Sequence, residues 1–289
     1  MNIEWARVAA GKVVVATPHD AWLHRSRVDG LPDDFGHSMT ARGRTGTTRW
    51  LLDGAIGAAS VGWRASSAAQ PLTPIRWAWR LAGFYRTTEA TSRLLPEAAR
   101  RFGAAGRRAL EAWARMRTRE ERGHDRLALR DIAGLGYDPP LVVERFAPPG
   151  ACALVDYFTR AVRDTDDPIG CVGYSYVLER LAAERGAADV DAIETMLPPG
   201  VRATRCLRVH SAAGSDEAHI ASTIEMVARL SAREREAVAT ACYETARLFY
   251  CTNHVKLPDD DELNELLAPH SPRRTDGQKG SNQDRHAQP

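Results

Sequence analysis

The sequence predicts an all-α fold, and three observations indicate this. Between residues 73 and 257, apolar side chains recur at the three- and four-residue spacing of one helix face. Prolines and glycines fall mainly between these stretches, as at Pro139, Pro168 and Gly136. No repeat of 20 to 50 residues is visible, which argues against a solenoid. We therefore expect a single bundle of about seven helices.

The helices follow in order along this central region. The first is predicted to begin at Pro74 and to end before Pro96, because proline suits a first helical turn and disrupts a helix interior. The second is predicted as one long helix from Gly106 to Gly134 or Gly136. Further helices are predicted at about residues 150–164, 168–186, 188–197, 202–230 and 231–252.

The two ends of the chain look different from the centre. Residues 1–72 are rich in glycine, threonine and arginine, and only "GKVVVATP" suggests a short strand. Residues 258–289 are polar and lack aromatic side chains, so we expect them to be disordered. The predicted organisation is a poorly structured extension (1–72), a helical domain (73–257) and a disordered tail (258–289).

Composition narrows the classes of function. The chain has 289 residues, of which 44% are hydrophobic and 26% charged, as in ordinary globular proteins. A formal net charge of +2 gives no electrostatic reason to expect nucleic acid as a partner. No apolar run approaches the roughly 20 residues of a membrane span. Five scattered cysteines and no evident signal peptide indicate a cytoplasmic protein with reduced thiols. A homodimer is one assembly that the sequence leaves open.

The stretch "REERGHDR" concentrates groups that can bind a metal. Glu121 lies three residues before His124 and Glu120 four before it, so both carboxylates share a helix face with the imidazole. Asp125 follows directly. A Glu-x-x-His pair on a bundle helix can hold iron or manganese. By itself the patch fits a solvated charged face better than a metal site.

Two later stretches supply further candidates. Glu179 lies beside the apolar face of its predicted helix. Asp216 and His219 share a face, whereas His210 lies nine residues before His219 and falls on the opposite side of a straight helix unless Gly214 introduces a kink. Imidazole and carboxylate without thiolate favour iron or manganese over a structural zinc.

Four segments in order, "EERGHDRLALRDIAGLGY", "GYSYVLE", "HSAAGSDEAH" and "LSARERE", resemble the heme-oxygenase-like iron oxidases. That superfamily includes the TenA-type thiaminases and the pyrroloquinoline-quinone synthase. The resemblance covers about residues 75–252, and the nearest pattern is that of the fatty-acid decarboxylase that forms terminal alkenes. It implies a heme-oxygenase-like bundle and six metal ligands: Glu121, His124, Glu179, His210, Asp216 and His219.

The resemblance also implies a reaction. Two Fe(II) ions with O2 as co-substrate would oxidise a small metabolite, for which a carboxylate-bearing molecule is a candidate. Glu120 and Asp125 would orient the ligands, and Tyr174 and Tyr176 would line the pocket. Trp77, Phe84 and Tyr85 are further candidates for the pocket wall, and Arg130 and Arg208 for a carboxylate partner. The chain departs from the family pattern in one respect: six residues separate His210 from Asp216, where the family pattern has four.

Three alternatives stay open at this point. A metal-free enzyme of the same fold, like the thiaminases or the quinone synthase, could use Cys171 or Cys206, which lie on suitable helices. A non-catalytic helical binding protein is the second. Heme binding is the third, but no histidine lies between His37 and His124, where a proximal ligand is needed. An enzyme with a metal site should gather the predicted ligands around a buried cavity.

Overall fold

A computed structural model describes residues 3–25, 35, 37–40, 42–61, 71–211, 215–253 and 258–268; for residues 185–188, 210–211, 215–216 and 252–253 it describes the backbone alone. Within these ranges the strands are β1 (Glu4–Ala9), β2 (Lys12–Ala16) and β3 (Ala21–Arg25). The helices are α1 (Thr45–Ser60), α2 (Pro74–Ala104), α3 (Arg108–Glu120), α4 (His124–Gly134), α5 (Pro139–Arg145), α6 (Pro149–Arg163), α7 (Gly170–Met196), α8 (Arg205–Ser211), α9 (Ser215–Ala228), α10 (Ala232–Asn253) and α11 (Asp260–Leu267).

The helices pack around two groups of buried apolar side chains. The larger group includes Leu94 and Phe102 of α2, Phe158 of α6 and Val172 of α7, together with residues of α1, α3, α9 and α10. The smaller one surrounds Trp77 near the start of α2 and joins α4, α5 and α11 to it. The prediction of a mainly helical bundle is confirmed. None of the described helices is both long enough and apolar enough to cross a bilayer.

The N-terminal region contributes more structure than the sequence predicts. The expected strand in "GKVVVATP" is β2, and it lies between β1 and β3 in an antiparallel sheet. Helix α1 packs on this sheet and buries its apolar face in the larger group of buried side chains. Glu4 of β1 is fully buried and forms an ion pair with the equally buried Arg235 of α10, at 2.9 Å between Oε2 and Nε. The described part of this region is therefore built into the helical domain.

The prediction of one long helix from residue 106 to residue 134 or 136 is wrong, because the structure has two helices there, α3 and α4. Helix α3 ends at Glu120 and Glu121 is its C-cap residue, Gly123 follows with φ at +87°, and His124 opens α4. A positive φ is readily adopted by glycine and disfavoured for residues with a Cβ. The break gives Glu121 and His124 a geometry that differs from that of one continuous helix.

Other helix boundaries also differ from the prediction. Helix α2 continues through Pro96 to Ala104, because Leu94, Leu95 and Ala98 on either side of the proline are buried. The two helices predicted at 168–186 and 188–197 are the single helix α7.

Two more predicted segments have a different form. The helix predicted at 202–230 is the pair α8 and α9. The tail predicted to be disordered from residue 258 contains α11, which Asp259 and Glu262 cap reciprocally and whose Leu263 is fully buried. Residues 269–289 lie outside the described part of the chain.

The break before α4 yields a prediction for stability. Gly123→Ala places a Cβ at a positive φ and should lower the free energy of unfolding by about 1–2 kcal/mol. Gly106→Ala, at φ +72°, should cost a similar amount. Gly57→Ala, inside α1 where an added Cβ meets nothing within 4 Å, should instead gain about 0.5–1 kcal/mol. Urea denaturation of the three variants measures this, and an unchanged Gly123→Ala protein would argue against the break.

Candidate functional site

A partly open cavity of about 140 Å³ lies between α2, α3, α7, α8 and α10. Much of its wall is apolar, formed by Phe84, Leu95, Leu178, Leu181, Val190, Leu207 and Phe249. Thr87, Thr88 and Thr91 also line it, but their hydroxyls donate to carbonyls of the preceding turn of α2. The chemically distinctive part of the wall is formed by Arg117, Glu121, Tyr174, Ser175 and Glu179.

Glu121 and His124 form a carboxylate–imidazole pair at the end of α3. Oε2 of Glu121 is 3.0 Å from Nδ1 of His124, and the two side chains are 16% and 20% exposed. The hydroxyl of Ser92 on α2 lies 3.4 Å from the carbonyl oxygen of Glu121. Glu121 lines the cavity, so an ion held by this pair would face the space available to a substrate. The pair predicted from the three-residue spacing is therefore present, although the helix is broken between the two residues.

Arg117 is the central charge of the site. Its side chain is 1% exposed, and its Nη1 donates to Oε2 of Glu120 and lies 3.0 Å from Oε1 of Glu179. Its Nη2 donates to the carbonyl of His219 at 2.6 Å and to Thr223 Oγ1 at 2.9 Å. One guanidinium thus joins α3, α7 and α9. It neutralises Glu179, whose side chain is only 11% exposed.

Arg117 is not among the site residues that the sequence predicts. The available signal was weak: Arg117 lies four residues after the buried Trp113, on the inward face of α3, in a chain that contains many arginines. An arginine on an apolar helix face generally indicates a buried partner, since an unpaired buried charge is costly.

Three predicted ligands lie between residues 210 and 219, and the structure describes the side chain of one of them, His219. Nε2 of His219 lies 3.3 Å from Oε1 of Glu120, so Glu120 contacts both His219 and Arg117. The side chains of His210 and Asp216 lie outside the described residues. In the part of the chain that is described, no three side chains of His, Cys, Asp or Glu form a group that could hold a metal.

The donor set therefore fits an iron ion only in part. Glu121 and His124 supply a carboxylate and an imidazole side by side, which are ordinary iron ligands. Glu179, which was expected to complete a second metal position, is instead paired with Arg117. Among the described residues, Glu121 and His124 thus offer two adjacent donors, and no complete metal site is formed.

Three hydrogen-bonding atoms at the cavity have no partner among the described residues. They are Nε of Arg117, Oη of Tyr174 and Oγ of Ser175, all of them buried. Burial, and after it the negative charge of Glu121, raises the pKa of the Tyr174 phenol, which therefore stays a hydrogen-bond donor at neutral pH. Buried polar groups normally have partners. Each of these three donors belongs to a residue that lines the cavity, where an acceptor atom of a bound molecule can satisfy it.

Other predicted site residues lie elsewhere. Tyr176 is absent from the cavity wall; it is buried and donates to Oδ1 of Asp53 at 2.7 Å. Asp125 lies in the first turn of α4, where a negative charge is favourable. Arg208 is exposed and pairs with Glu194. The exposed Arg130 does not line the cavity either.

Of the aromatic candidates, Phe84 lines the cavity. Trp77 is buried in the smaller core, where its Nε1 donates to the carbonyl of Ala203. Tyr85 packs against that same core.

The cysteines are poorly suited to nucleophilic chemistry. Cys206 lines the cavity, and burial together with the charges of Asp131 and Glu121 raises the pKa of its thiol to about 12. Burial likewise raises the pKa of the Cys171 thiol. Both thiols are therefore protonated at neutral pH, whereas the thiolate is the reactive form.

The unpartnered hydroxyl of Tyr174 yields a second prediction. Tyr174→Phe should leave the free energy of unfolding unchanged or raise it, because no hydrogen bond in the described structure is lost. Tyr176→Phe is the matched control. Its free energy of unfolding should fall by about 1.5–3 kcal/mol, because the Tyr176 hydroxyl donates to the carboxylate of Asp53. Thermal or urea unfolding measures both variants. Equal losses would mean that Tyr174 has a structural partner, and its hydroxyl would no longer be assigned to a ligand.

Comparison with solved structures shows a heme-oxygenase-like fold. A domain of unknown function with this fold from Shewanella denitrificans OS217 aligns with a TM-score of 0.54 and 17% identity, covering 74% of this chain and 88% of that one. A TenA homolog from Pseudomonas syringae pv. tomato DC3000 aligns with a TM-score of 0.54 and 14% identity, covering 78% of this chain and 94% of the other. At these identities the likeness concerns the fold alone. No curated protein matches the sequence.

Comparison with protein families gives a more specific result. Residues 78–251 match a family model described as iron-containing redox enzyme. The match extends from α2 to α10 and includes every helix that lines the cavity. The chain therefore belongs to this family of iron-containing redox enzymes.

Proposed function

We propose that the protein is an iron-dependent oxidoreductase that uses O2 to oxidise a small substrate bound in the cavity. The observation that carries the proposal is the Glu121–His124 pair, of which Glu121 lines a mainly apolar cavity. Membership of a family of iron-containing redox enzymes supports iron as the metal. The heme-oxygenase-like fold supports a helical pocket as the place of reaction.

Glu121 and His124 would hold the iron at the cavity. Further ligands are expected from residues 210–219, which carry His210, Asp216 and His219. Bound Fe(II) with open coordination positions supplies the reduction of O2 that amino-acid side chains cannot provide. The number of iron ions, which the resemblance puts at two, is considered below.

The chain itself would select and orient the substrate. The apolar side chains of α2, α7 and α10 exclude water from the cavity and accommodate a hydrocarbon portion. The donors of Arg117, Tyr174 and Ser175 would bind an acceptor group at the polar end. A small metabolite with a carboxylate and an apolar body fits both requirements. Because the donors and Glu121 line the same cavity, the bound acceptor group would position the apolar body close to the iron.

A metal-free enzyme of the same fold is the second candidate. The pairing of Glu179 with Arg117 favours it, because this carboxylate is neutralised without any metal. The protonated thiols of Cys206 and Cys171 speak against a cysteine nucleophile in such an enzyme. The two candidates differ in a simple measurable quantity, the affinity for Fe(II).

Anaerobic titration with Fe(II) tests the proposal. The wild-type protein should bind Fe(II), and Glu121→Ala and His124→Ala should each weaken binding by at least about a hundredfold, since each loses a ligand. Glu225→Ala and His19→Ala are matched controls, because both residues are exposed and remote from the cavity wall. The controls should bind Fe(II) as the wild type does.

Two results would contradict the proposal. A wild-type protein that binds no Fe(II) would leave the metal-free enzyme or a non-catalytic binding protein. Unchanged binding in the folded Glu121→Ala and His124→Ala variants would place the iron elsewhere. Circular dichroism of each variant distinguishes loss of a ligand from loss of the fold.

A further inference from the structure

The site contains a built-in cation, and we propose that the Arg117 guanidinium takes the place of a second metal ion, so that Glu120 and Glu179 bind no metal in the native protein. The inference rests on the proposed function for the metal position at Glu121 and His124. It goes beyond that function in assigning the neighbouring carboxylates to an arginine.

The position of Nη1 is the first step. This single nitrogen lies 3.0 Å from Oε2 of Glu120 and 3.0 Å from Oε1 of Glu179. A first-row metal ion shared by two carboxylates lies at about 2.0–2.2 Å from an oxygen of each. An ion bound to these same two oxygens would have to occupy the space between them that Nη1 now fills. The guanidinium and the metal ion are therefore mutually exclusive.

The second step is that Arg117 cannot readily move away. Its other terminal nitrogen donates to the carbonyl of His219 and to Oγ1 of Thr223. Trp113 also donates to that oxygen through Nε1, at 3.1 Å, which fixes the hydroxyl. The Arg117 side chain is 1% exposed. Displacing it would break these bonds and leave a buried charge without partners.

The positive charge of Arg117 is a further obstacle to a second metal ion. The guanidinium supplies one positive charge beside two carboxylates, of which Glu179 is 11% and Glu120 27% exposed. A divalent ion brought next to the fixed guanidinium would meet a like charge at short range, where screening is weak. The arrangement therefore favours one metal ion, at Glu121 and His124, and opposes a second.

Metal stoichiometry tests this inference. Arg117→Met keeps a long apolar side chain and removes the charge, and it should bind one more Fe(II) or Mn(II) ion per chain than the wild type in anaerobic equilibrium dialysis. Arg115→Met is the matched control, since Arg115 is an exposed arginine of the same helix that pairs with Glu111, and its count should equal that of the wild type. A wild-type count of two, or a folded Arg117→Met protein that binds no additional ion, would overturn the inference.

A second variant decides the question if Arg117→Met does not fold. Glu179→Gln keeps the shape of the side chain and loses its charge. If Glu179 serves Arg117, the number of bound ions should stay that of the wild type while stability falls. Loss of one ion in this variant would show that Glu179 is a ligand and overturn the inference.

The two proposals fail in distinguishable ways. A wild type without bound iron contradicts the proposed function. Even then, Arg117→Met can be compared with the wild type. One additional bound ion in the variant would still support the role assigned to the guanidinium.

Discussion

Three helices that are distant in sequence meet at the buried guanidinium of Arg117. Burying an arginine is costly unless its donors are satisfied, and here α7 supplies Glu179, α9 supplies a carbonyl and a hydroxyl, and α3 supplies Glu120. A change in the relative position of these helices would break charged hydrogen bonds in an environment that cannot replace them with water. This constraint fixes one side of the cavity, and the polar groups of the candidate site are arranged around it.

The cavity and the Glu121–His124 pair follow from this arrangement. Arg117 and Glu121 lie one turn apart at the end of α3, and the amide of Glu121 donates to the carbonyl of Arg117 at 2.9 Å. Gly123 then turns the chain with a positive φ, so that His124 begins a new helix with its imidazole against the Glu121 carboxylate. The same short segment thus provides a fixed positive charge and, one turn later, two candidate ligands. The described side chains place two adjacent candidate donors one helical turn after a buried guanidinium.

The parts of this account that depend on neighbouring residues could be predicted from the sequence. The three-residue spacing of Glu121 and His124 indicated their contact, and the periodicity of the central region indicated the helices. The strand in "GKVVVATP" was also visible, because a run of valines favours extended structure. The heme-oxygenase-like fold was predicted from the order of four short motifs, and the solved structures confirm it.

Features that depend on contacts distant in sequence could not be predicted in this way. The pairing of Arg117 with Glu179 and that of Glu4 with Arg235 join segments far apart in the chain, and no local pattern marks either pair. Pro96 predicts a helix end, but the buried side chains around it keep α2 continuous. Leu263 and the capping residues of α11 stabilise a helix in a segment whose composition suggested disorder.

The most direct test of the central claim is the position of iron in a crystal grown anaerobically with Fe(II), located by anomalous diffraction at the iron edge. We expect one anomalous peak, within coordination distance of Glu121 and His124. The Arg117 guanidinium should still lie between Glu120 and Glu179. A peak between Glu120 and Glu179 with Arg117 displaced, or the absence of any peak at Glu121 and His124, would contradict it.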